Sequence, residues 1–309
     1  MPNNFTSPNG YVGFGALSNC TLSLCDIKYS VFEYRPSLAA NSLFTALFII
    51  SGLFHLSQGF HAWKSRRYST QWFYCWAMIL GCVTEIIGYI GRILLHSNPF
   101  NFDYFLIQIV CLTIAPAFFT AAIYITIGQC ITALGYPRTN PKHYAYIFIP
   151  SDIIALSLQG AGGGLSSGNA HQIGVDVSLA GLAFQVFSLT IFSLLALDWI
   201  RHWRSSNDNM ALPSKFKVFA WLLVTAVLLI LARCIYRIDE LSQGYDGSLF
   251  HDQASFIVLE GVFMSITAFV LNLSNPAYQF NEVKELLGEK VEQGQLSVGQ
   301  EKPLDVASA

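Results

Sequence analysis

Residues 72–95 read WFYCWAMILGCVTEIIGYIGRILL, an apolar run that contains one glutamate, Glu85, and one arginine, Arg92. A helix needs ~20 apolar residues to cross ~30 Å of hydrocarbon, so this run predicts a membrane-spanning helix. A charged side chain in lipid costs about 2.5–3.5 kcal/mol on insertion scales, and such residues therefore face a bundle interior or an aqueous cavity. The stretch predicts a polytopic membrane protein with a polar site between its helices.

Six further apolar runs accompany this one, at 39–60, 104–133, 144–165, 176–198, 217–236 and 254–274. Only 12% of the 309 residues are charged and the mean hydropathy is +0.46, whereas a soluble domain carries about 25% charged residues. The sequence therefore predicts an all-α fold of seven transmembrane helices, the third kinked at Pro116. A net charge of −2 gives no indication of nucleic-acid binding.

Basic residues are concentrated in alternate loops, after the first, third and fifth predicted helices: Lys64, Arg66, Arg67, Arg138, Lys142, Arg201, Arg204, Lys215 and Lys217. The loops after the second and fourth helices contain none, and the loop after the sixth contains only Arg237. Because positive charge stays cytoplasmic, the N-terminus is predicted outside and the C-terminus in the cytoplasm. The predicted parts are an extracytoplasmic tail (1–37), a membrane domain (38–275) and a cytoplasmic tail (276–309).

The N-terminal tail has features of a chain that enters the secretory route. It lacks a basic start followed by an apolar core, so we expect no cleavable signal peptide. Asn4 and Asn19 begin Asn-x-Thr sequons and are predicted glycosylation sites. Cys20 and Cys25 could pair in an oxidising compartment. The alternative is that the sequons are unused and both thiols are free.

The C-terminal tail leaves the membrane after Pro276. Residues 280–290 place apolar side chains at helical spacing among charged ones, which predicts a short amphipathic helix on the inner membrane surface. The polar sequence beyond Gly294 is typical of disorder. The segment Asn275-Pro276-Ala277-Tyr278 resembles an internalisation signal, but it is also a helix stop followed by an interfacial aromatic residue, and we favour that interpretation.

The candidate site consists of polar residues inside the predicted helices. At ~1.5 Å rise per residue, Glu85, Arg92, Arg233 and Glu260 fall in the outer half and are expected to form one layer of opposite charges. Asp152 lies lower. The predicted substrate-binding or translocation residues are Glu85, Arg92, Asp152, Gln159, Arg233, Arg237, Glu240 and Glu260.

Two interpretations of these residues remain open. Buried ion pairs can lock the bundle without any transport role. Alternatively, the carboxylates line a cavity in which they meet a cationic or hydroxylated head group. We favour the second interpretation because the charges come from several helices rather than from one pair.

Other motifs carry less weight. The glycine-rich run 159–164 looks like a phosphate loop, but no lysine follows it, and the spacing of Gly160 and Gly164 favours close helix packing or an unwound helix end. His55 is the only histidine that lies well inside a predicted span, so no intramembrane zinc site and no other metal site is predicted. No lysine in the seventh helix could hold retinal. No nucleophile–base pair stands out, so the chain is predicted not to be an enzyme and to need no cofactor.

Several ordered motifs resemble a known family: Tyr34-Arg35-Pro36-Ser37 with Asn41, Glu85-x-x-Gly88-Tyr89-x-x-Arg92, Ala115-Pro116 with Tyr124, Asp152 with Gln159 and Gly162-Gly163, and Arg233-x-x-Tyr236-Arg237-x-x-Glu240 with Gly244 and Gly247. Together they resemble the fungal lipid-translocating exporter family, which includes aminocholesterol-resistance and sphingoid long-chain-base-resistance proteins. The resemblance runs from about residue 34 to 275. It implies seven helices with an outside N-terminus.

One departure from that pattern concerns the seventh helix. The family has an acid at the outer end of this helix and a second acid seven residues later. Here Gln253 stands seven residues before Glu260, and Asp252 is displaced by one. Glu260 keeps its position, whereas the role of the first acid is in doubt.

The resemblance implies export or transbilayer movement of amphiphilic lipids, sphingoid long-chain bases among them, and resistance to toxic lipids. An intramembrane carboxylate suits an ammonium head group, and the absence of a Walker motif argues against ATP as the direct driver. Membrane lipids and an amphiphilic lipid substrate are the predicted partners, without nucleic acid; the sequence does not identify protein partners. The alternative is a receptor-like or regulatory seven-helix protein in lipid stress signalling. The predicted location is multi-pass in the membrane, with the plasma membrane favoured over internal membranes.

Overall fold

Helices make up most of the described chain, which confirms the all-α prediction. The computed structural model describes residues 7, 9–15, 17–64, 69–133, 142–166, 171–206, 214–244, 247 and 249–275. Seven helices lie in these ranges: α1 (Leu38–Lys64), α2 (Ser69–Ser97), α3 (Phe102–Ala133), α4 (Lys142–Ser166), α5 (His171–Ser206), α6 (Ser214–Ser242) and α7 (Gln253–Leu273). The same ranges contain no β-strand.

The last helix, α7, is not uniform. It starts with a short α-turn, Gln253–Ser255, continues as a π-helix over Phe256–Val262 and returns to α-helix over Phe263–Leu273. A π-helix inserts an extra residue into a turn and changes the direction in which its side chains point, and such segments are frequent at functional sites. The π-helix of this chain contains Glu260.

Within the described part of the chain, six of these helices are long and apolar enough to cross a membrane: α1, α2, α3, α5, α6 and α7. The remaining helix, α4, has 25 residues, and its Asp152, Gln159 and glycine-rich end lower its hydropathy. The helix surfaces are apolar and the interior is partly polar. Phe73, Trp221 and Leu273 are each at least 67% exposed, whereas several charged residues of the helices are buried. This inverted distribution is typical of a protein that spans lipid.

Consecutive helices pack against each other in chain order, and α7 completes the bundle by contacting both α6 and α1. Helix α3 also contacts α6 across the bundle. The polar side chains of the interior therefore come from helices that are far apart in sequence but adjacent in space.

The segment before α1 covers one end of the bundle, which we call the tail end. Arg35 donates two hydrogen bonds to the His96 carbonyl at the end of α2, at 3.2 and 2.9 Å. The Phe32 ring stacks on Phe250 in the α6–α7 connection at 5.5 Å between centroids. The N-terminal segment, the α2–α3 connection and the α6–α7 connection therefore lie at the same end.

The predicted pairing of Cys20 with Cys25 is confirmed, since the two form a disulfide with a Cα–Cα distance of 5.6 Å. Asn19 is exposed, and its Oδ1 accepts a hydrogen bond from the Val12 backbone at 2.8 Å. Glycosylation of Asn19 stays a prediction. Asn4 and the predicted amphipathic helix after Pro276 lie outside the described residues.

Two predictions about the ends of helices can be compared with the structure. Asn275 is buried and donates to Gln58 Oε1 at 2.6 Å, which supports the helix-stop interpretation over an internalisation signal. The prediction that Gly160 and Gly164 pack closely was wrong. Nothing lies within 4 Å of a Cβ built on either residue, whereas a Cβ on Gly162 would lie 2.4 Å from the Ser178 backbone nitrogen of α5. The helical face with Gly162, not the one with Gly160, meets α5, and α4 stays helical to Ser166 rather than unwinding.

Candidate functional site

The centre of the candidate site is Arg233 on α6, whose guanidinium is buried. Its Nη2 donates to the carboxylate of Glu260 on α7 and to the backbone carbonyl of Leu112 on α3. That carbonyl lies four residues before Pro116, and proline has no N–H with which to satisfy it. Arg233 therefore supplies the donor that Pro116 cannot and joins three helices at one point.

Glu260 reaches Arg233 from the π-helical part of α7. Only its Oε1 is bonded to the guanidinium, and Oε2 has no hydrogen-bond partner among the described residues. A Cβ on the next residue, Gly261, would lie 2.3 Å from the Phe44 ring of α1. This close approach holds the π-helix against α1 while Glu260 points towards α6.

Glu85 on α2 completes this group, which we call the carboxylate centre: Glu85, Arg233 and Glu260. Glu85 is fully buried, and neither of its carboxylate oxygens has a hydrogen-bond partner among the described residues. The charges of both Arg233 and Glu260 act on it. The centre thus contains two carboxyl groups and one guanidinium, with three carboxylate oxygens able to accept further donors.

The predicted single layer of opposite charges is only partly present, because Arg92 does not join it. Arg92 donates to the Tyr34 hydroxyl at 2.6 Å. Its guanidinium carbon lies 3.6 Å from the centroid of the Phe256 ring and 4.9 Å from that of Phe32. Aromatic faces can stabilise a cation by about 0.5–2 kcal/mol. Arg92 is therefore held at the tail end mainly by aromatic rings, which charge spacing alone could not show.

Arg237 and Glu240, also on α6, form an ion pair with each other three residues apart. The Tyr236 hydroxyl donates to Glu240 Oε1 at 3.3 Å. Both charged residues are at least nine-tenths buried, and the charge of Glu240 reaches Arg92. This pair lies four and seven residues beyond Arg233 on α6, towards the tail end.

A second polar group lies between α3, α4 and α5. Thr120 Oγ1 lies 2.7 Å from Asp152 Oδ2, and Gln159 donates to Gln185 Oε1 at 3.0 Å. The Ser178 hydroxyl donates to the Gln159 carbonyl at 3.2 Å. Asp152 therefore meets α3, whereas Gln159, seven residues later on α4, meets α5.

Asp252, the acid displaced by one position, caps α7. Its carboxylate accepts from the Ser255 hydroxyl at 2.5 Å and from the Ala254 backbone at 3.0 Å. These hydrogen bonds hold the pKa of Asp252 below its usual range. Its role in the structure is to start the helix that carries Glu260.

Sequence reasoning missed several residues at these sites. The roles of Tyr34, Phe32 and Phe256 around Arg92 depend on contacts over long sequence distances. The Leu112 carbonyl could have been found, because Pro116 inside an apolar helix always leaves the carbonyl four residues earlier without its donor. Gln185 was detectable as an amide within an apolar run. Among the described residues, no three His, Cys, Asp or Glu side chains are grouped to hold a metal ion.

Comparison with known proteins now gives the family. The pattern of the family described as RTA1 like protein matches residues 78–283. The sphingoid long-chain base transporter RSB1 of Saccharomyces cerevisiae (strain Lalvin EC1118) is 32% identical over 251 residues, covering 68% of this chain and 66% of the relative. The chain thus spans slightly less than two thirds of that relative's length. No solved structure matches.

Two further yeast proteins are similar. Protoporphyrin uptake protein 1 of Saccharomyces cerevisiae is 26% identical over 290 residues, covering 82% of this chain and 94% of the relative. Protein RTM1 of the same organism is 28% identical over 204 residues, covering 62% and 64%. The functional names among these relatives denote transport or uptake and not catalysis, in agreement with the prediction that the chain is not an enzyme. With the family pattern covering most of the membrane part, this chain belongs to the RTA1-like protein family.

Proposed function

We propose that this chain moves amphiphilic lipids across the bilayer, that sphingoid long-chain bases are among them, and that it thereby confers resistance to toxic lipids. The observation that carries the proposal is the carboxylate centre. It contains two buried carboxyl groups: Glu260 is paired with the Arg233 guanidinium, and Glu85 has no hydrogen-bond partner among the described residues. Such a centre has spare acceptors and formal negative charge, which suit a cationic ligand.

The chemistry of a sphingoid base matches this arrangement. Its ammonium group has three donors and loses water when it enters the membrane, so it needs acceptors and a counter-charge there. Glu85 offers two carboxylate oxygens and Glu260 a third. The apolar chain of the lipid can stay among the exposed aliphatic side chains of the helix surfaces while the head group crosses the interior.

The relatives support a transport role and differ in what their names specify. One is named for sphingoid bases and another for protoporphyrin, a molecule that carries carboxylates. The carboxylate centre of this chain favours a cationic head group over an anionic one, because an anion would meet two carboxyl groups and a single arginine that is already paired. This is why we assign the sphingoid class.

All seven helices are proposed to cross the membrane, including α4. Its 25 residues give a length of ~37 Å, enough for ~30 Å of hydrocarbon. The α2–α3 and α6–α7 connections both lie at the tail end, which requires an even number of crossings between them, and α3, α4, α5 and α6 provide four. Together with the distribution of Lys and Arg, this supports our proposal that the tail 1–37 is outside, the domain 38–275 in the membrane and the tail 276–309 in the cytoplasm. The plasma membrane is the proposed location.

The remaining predicted residues are assigned positions along the same path. Arg92, Arg237 and Glu240 lie towards the tail end, where a head group would arrive or leave. Asp152 and Gln159 lie on the α3–α4–α5 side of the bundle. We propose that these residues contact the head group before or after it occupies the carboxylate centre.

The test is reconstitution of the purified protein in vesicles, with a fluorescent sphingoid base followed between leaflets. We expect faster exchange between leaflets than in vesicles that contain heat-denatured protein. No acceleration would contradict the proposal and favour the alternative, a receptor-like or regulatory protein through which resistance arises elsewhere in the cell.

A further inference from the structure

The second polar group contains a buried carboxyl group that forms no ion pair with any described residue. Asp152 on α4 is 4% exposed. Its Oδ2 lies 2.7 Å from the Thr120 hydroxyl of α3. Tyr124 lies one turn further along α3, and its hydroxyl has no hydrogen-bond partner among the described residues. Asp152 Oδ1 has no hydrogen-bond partner among the described residues.

The surroundings of Asp152 contrast with those of two other buried acids, which are ion-paired. Glu260 is bonded to Arg233 and Glu240 to Arg237. Among the described residues, the titratable groups near Asp152 are the Tyr124 phenol on α3 and the Cys234 thiol on α6, neither of which is a cation. Helix α5, which also packs on α4, presents the uncharged Gln185 to Gln159. A buried carboxylate without a counter-charge is costly, and this cost is avoided when it takes up a proton or another cation.

The Thr120 hydroxyl can adapt to both charge states of Asp152. Thr120 Oγ1 lies 3.0 Å from the Ala117 carbonyl as well as 2.7 Å from Asp152 Oδ2, but a hydroxyl has only one proton to donate. When Asp152 is ionised, Thr120 donates to Oδ2. When Asp152 carries a proton on Oδ2, that proton is donated to Thr120 Oγ1, and the threonine proton turns to the Ala117 carbonyl. Neither state leaves a donor without an acceptor.

We propose that Asp152 is a proton-binding site, that Thr120 positions it by this rotation, and that the proton taken up and released there accompanies lipid movement. The coupling rests on the proposed function, whereas proton binding does not. The step is a proton transfer: an O–H bond of a hydronium ion breaks, which leaves water, as an O–H bond forms on the Asp152 carboxylate. Release to a water molecule reverses both changes.

Infrared spectroscopy of the full-length protein in lipid nanodiscs tests the proton site without any transport. We expect a carboxylic C=O band that appears and disappears with pH in the wild type and is lost in Asp152→Asn. The matched control Asp176→Asn, an exposed acid on α5, should keep the band. Thr120→Val should change the frequency of the band, and Thr120→Ser, which retains the hydroxyl, should restore it. An unchanged set of titrating bands in Asp152→Asn would overturn the proposal.

Transport in vesicles tests the coupling. With a fluorescent sphingoid base and a pH-sensitive dye inside the vesicles, we expect lipid movement by the wild type to be accompanied by proton movement. In Asp152→Asn, fewer protons should move per lipid than in the wild type, and an unchanged proton-to-lipid ratio would overturn the coupling. Lipid movement by the wild type without proton movement would overturn the coupling. If the wild type moves no lipid at all, the proposed function fails and the coupling fails with it, but the infrared titration still decides whether Asp152 binds a proton.

Discussion

Arg233 donates a hydrogen bond to the Leu112 carbonyl, the backbone group that Pro116 leaves without its helical donor. The same guanidinium nitrogen donates to Glu260 in the π-helix of α7. Two departures from regular helix geometry, a proline on α3 and a π-helix on α7, therefore meet at one buried cation. This contact fixes where Glu260 points and how α3, α6 and α7 are placed around Glu85.

Replacing Arg233 with methionine should strongly destabilise the fold. The change leaves Glu260 and the Leu112 carbonyl without their donor, and breaking a buried pair from one side costs about 3–5 kcal/mol. The measurement is the free energy of unfolding in mixed micelles, followed by tryptophan fluorescence. Arg201→Met, at an exposed position of α5, should stay within about 0.5 kcal/mol of wild type.

The double variant Arg233→Met, Glu260→Met completes this comparison. It removes both charges, so we expect it to recover part of the loss, since neutral replacements avoid an uncompensated buried charge. If Arg233→Met costs no more than Arg201→Met, the central position of Arg233 is wrong.

Pro116→Ala should rescue part of the Arg233→Met defect. Alanine restores an N–H that can donate to Leu112, so the carbonyl is no longer unsatisfied when the guanidinium is absent. A buried unsatisfied group costs about 1–3 kcal/mol, and the coupling energy should be of that order. A double-mutant cycle measures it. Pro150→Ala on α4 serves as the control and should show no coupling to Arg233→Met; equal coupling for both prolines would contradict this link.

The sequence predicted the architecture well because membrane helices leave strong signals. The long apolar runs predicted all seven helices. The ionisable residues within those runs predicted that Glu85, Arg233 and Glu260 are neighbours. The sequence could not predict that Arg92 leaves this group for Tyr34 and Phe256, since both contacts depend on how the N-terminal segment and α7 fold over the tail end. The sequence also could not predict that Gly162 rather than Gly160 packs against α5. That depends on how α4 is oriented about its own axis, because glycines at helical spacing occur on more than one face of that helix.

Gly162→Ala should destabilise the protein more than Gly160→Ala. A Cβ at Gly162 would approach the Ser178 backbone of α5 to 2.4 Å, whereas one at Gly160 meets nothing within 4 Å. Overpacking typically costs about 1–3 kcal/mol, while alanine at an open helix position is favourable by up to about 1 kcal/mol. Unfolding in micelles measures both. Equal effects of the two substitutions would show that Gly162 does not face α5.

Tyr34→Phe should loosen the N-terminal segment over the tail end. The variant keeps the ring near Arg92 but removes the hydroxyl that accepts from its guanidinium. A hydrogen bond to a charged group contributes about 1.5–3 kcal/mol, so hydrogen exchange of the backbone at 31–37 should become faster. Tyr29→Phe, in the same segment but packed near Phe100 and the disulfide, should leave exchange at 31–37 unchanged. Unaltered exchange in Tyr34→Phe would show that Arg92 does not anchor this segment.

The most direct test is the initial rate of transbilayer movement of a sphingoid base in vesicles that contain wild type, Glu85→Gln or Asp176→Asn at equal protein content. An N-acetylated base, which has no positive charge, is measured beside it. We expect Glu85→Gln to slow the cationic base by roughly 10–100-fold, the equivalent of about 1.5–3 kcal/mol for one hydrogen bond to a charged group, and the acetylated base to move poorly in every variant. Asp176→Asn should behave as wild type. Equal rates for wild type and Glu85→Gln with the cationic base would contradict the assignment of the carboxylate centre as the site that binds the head group.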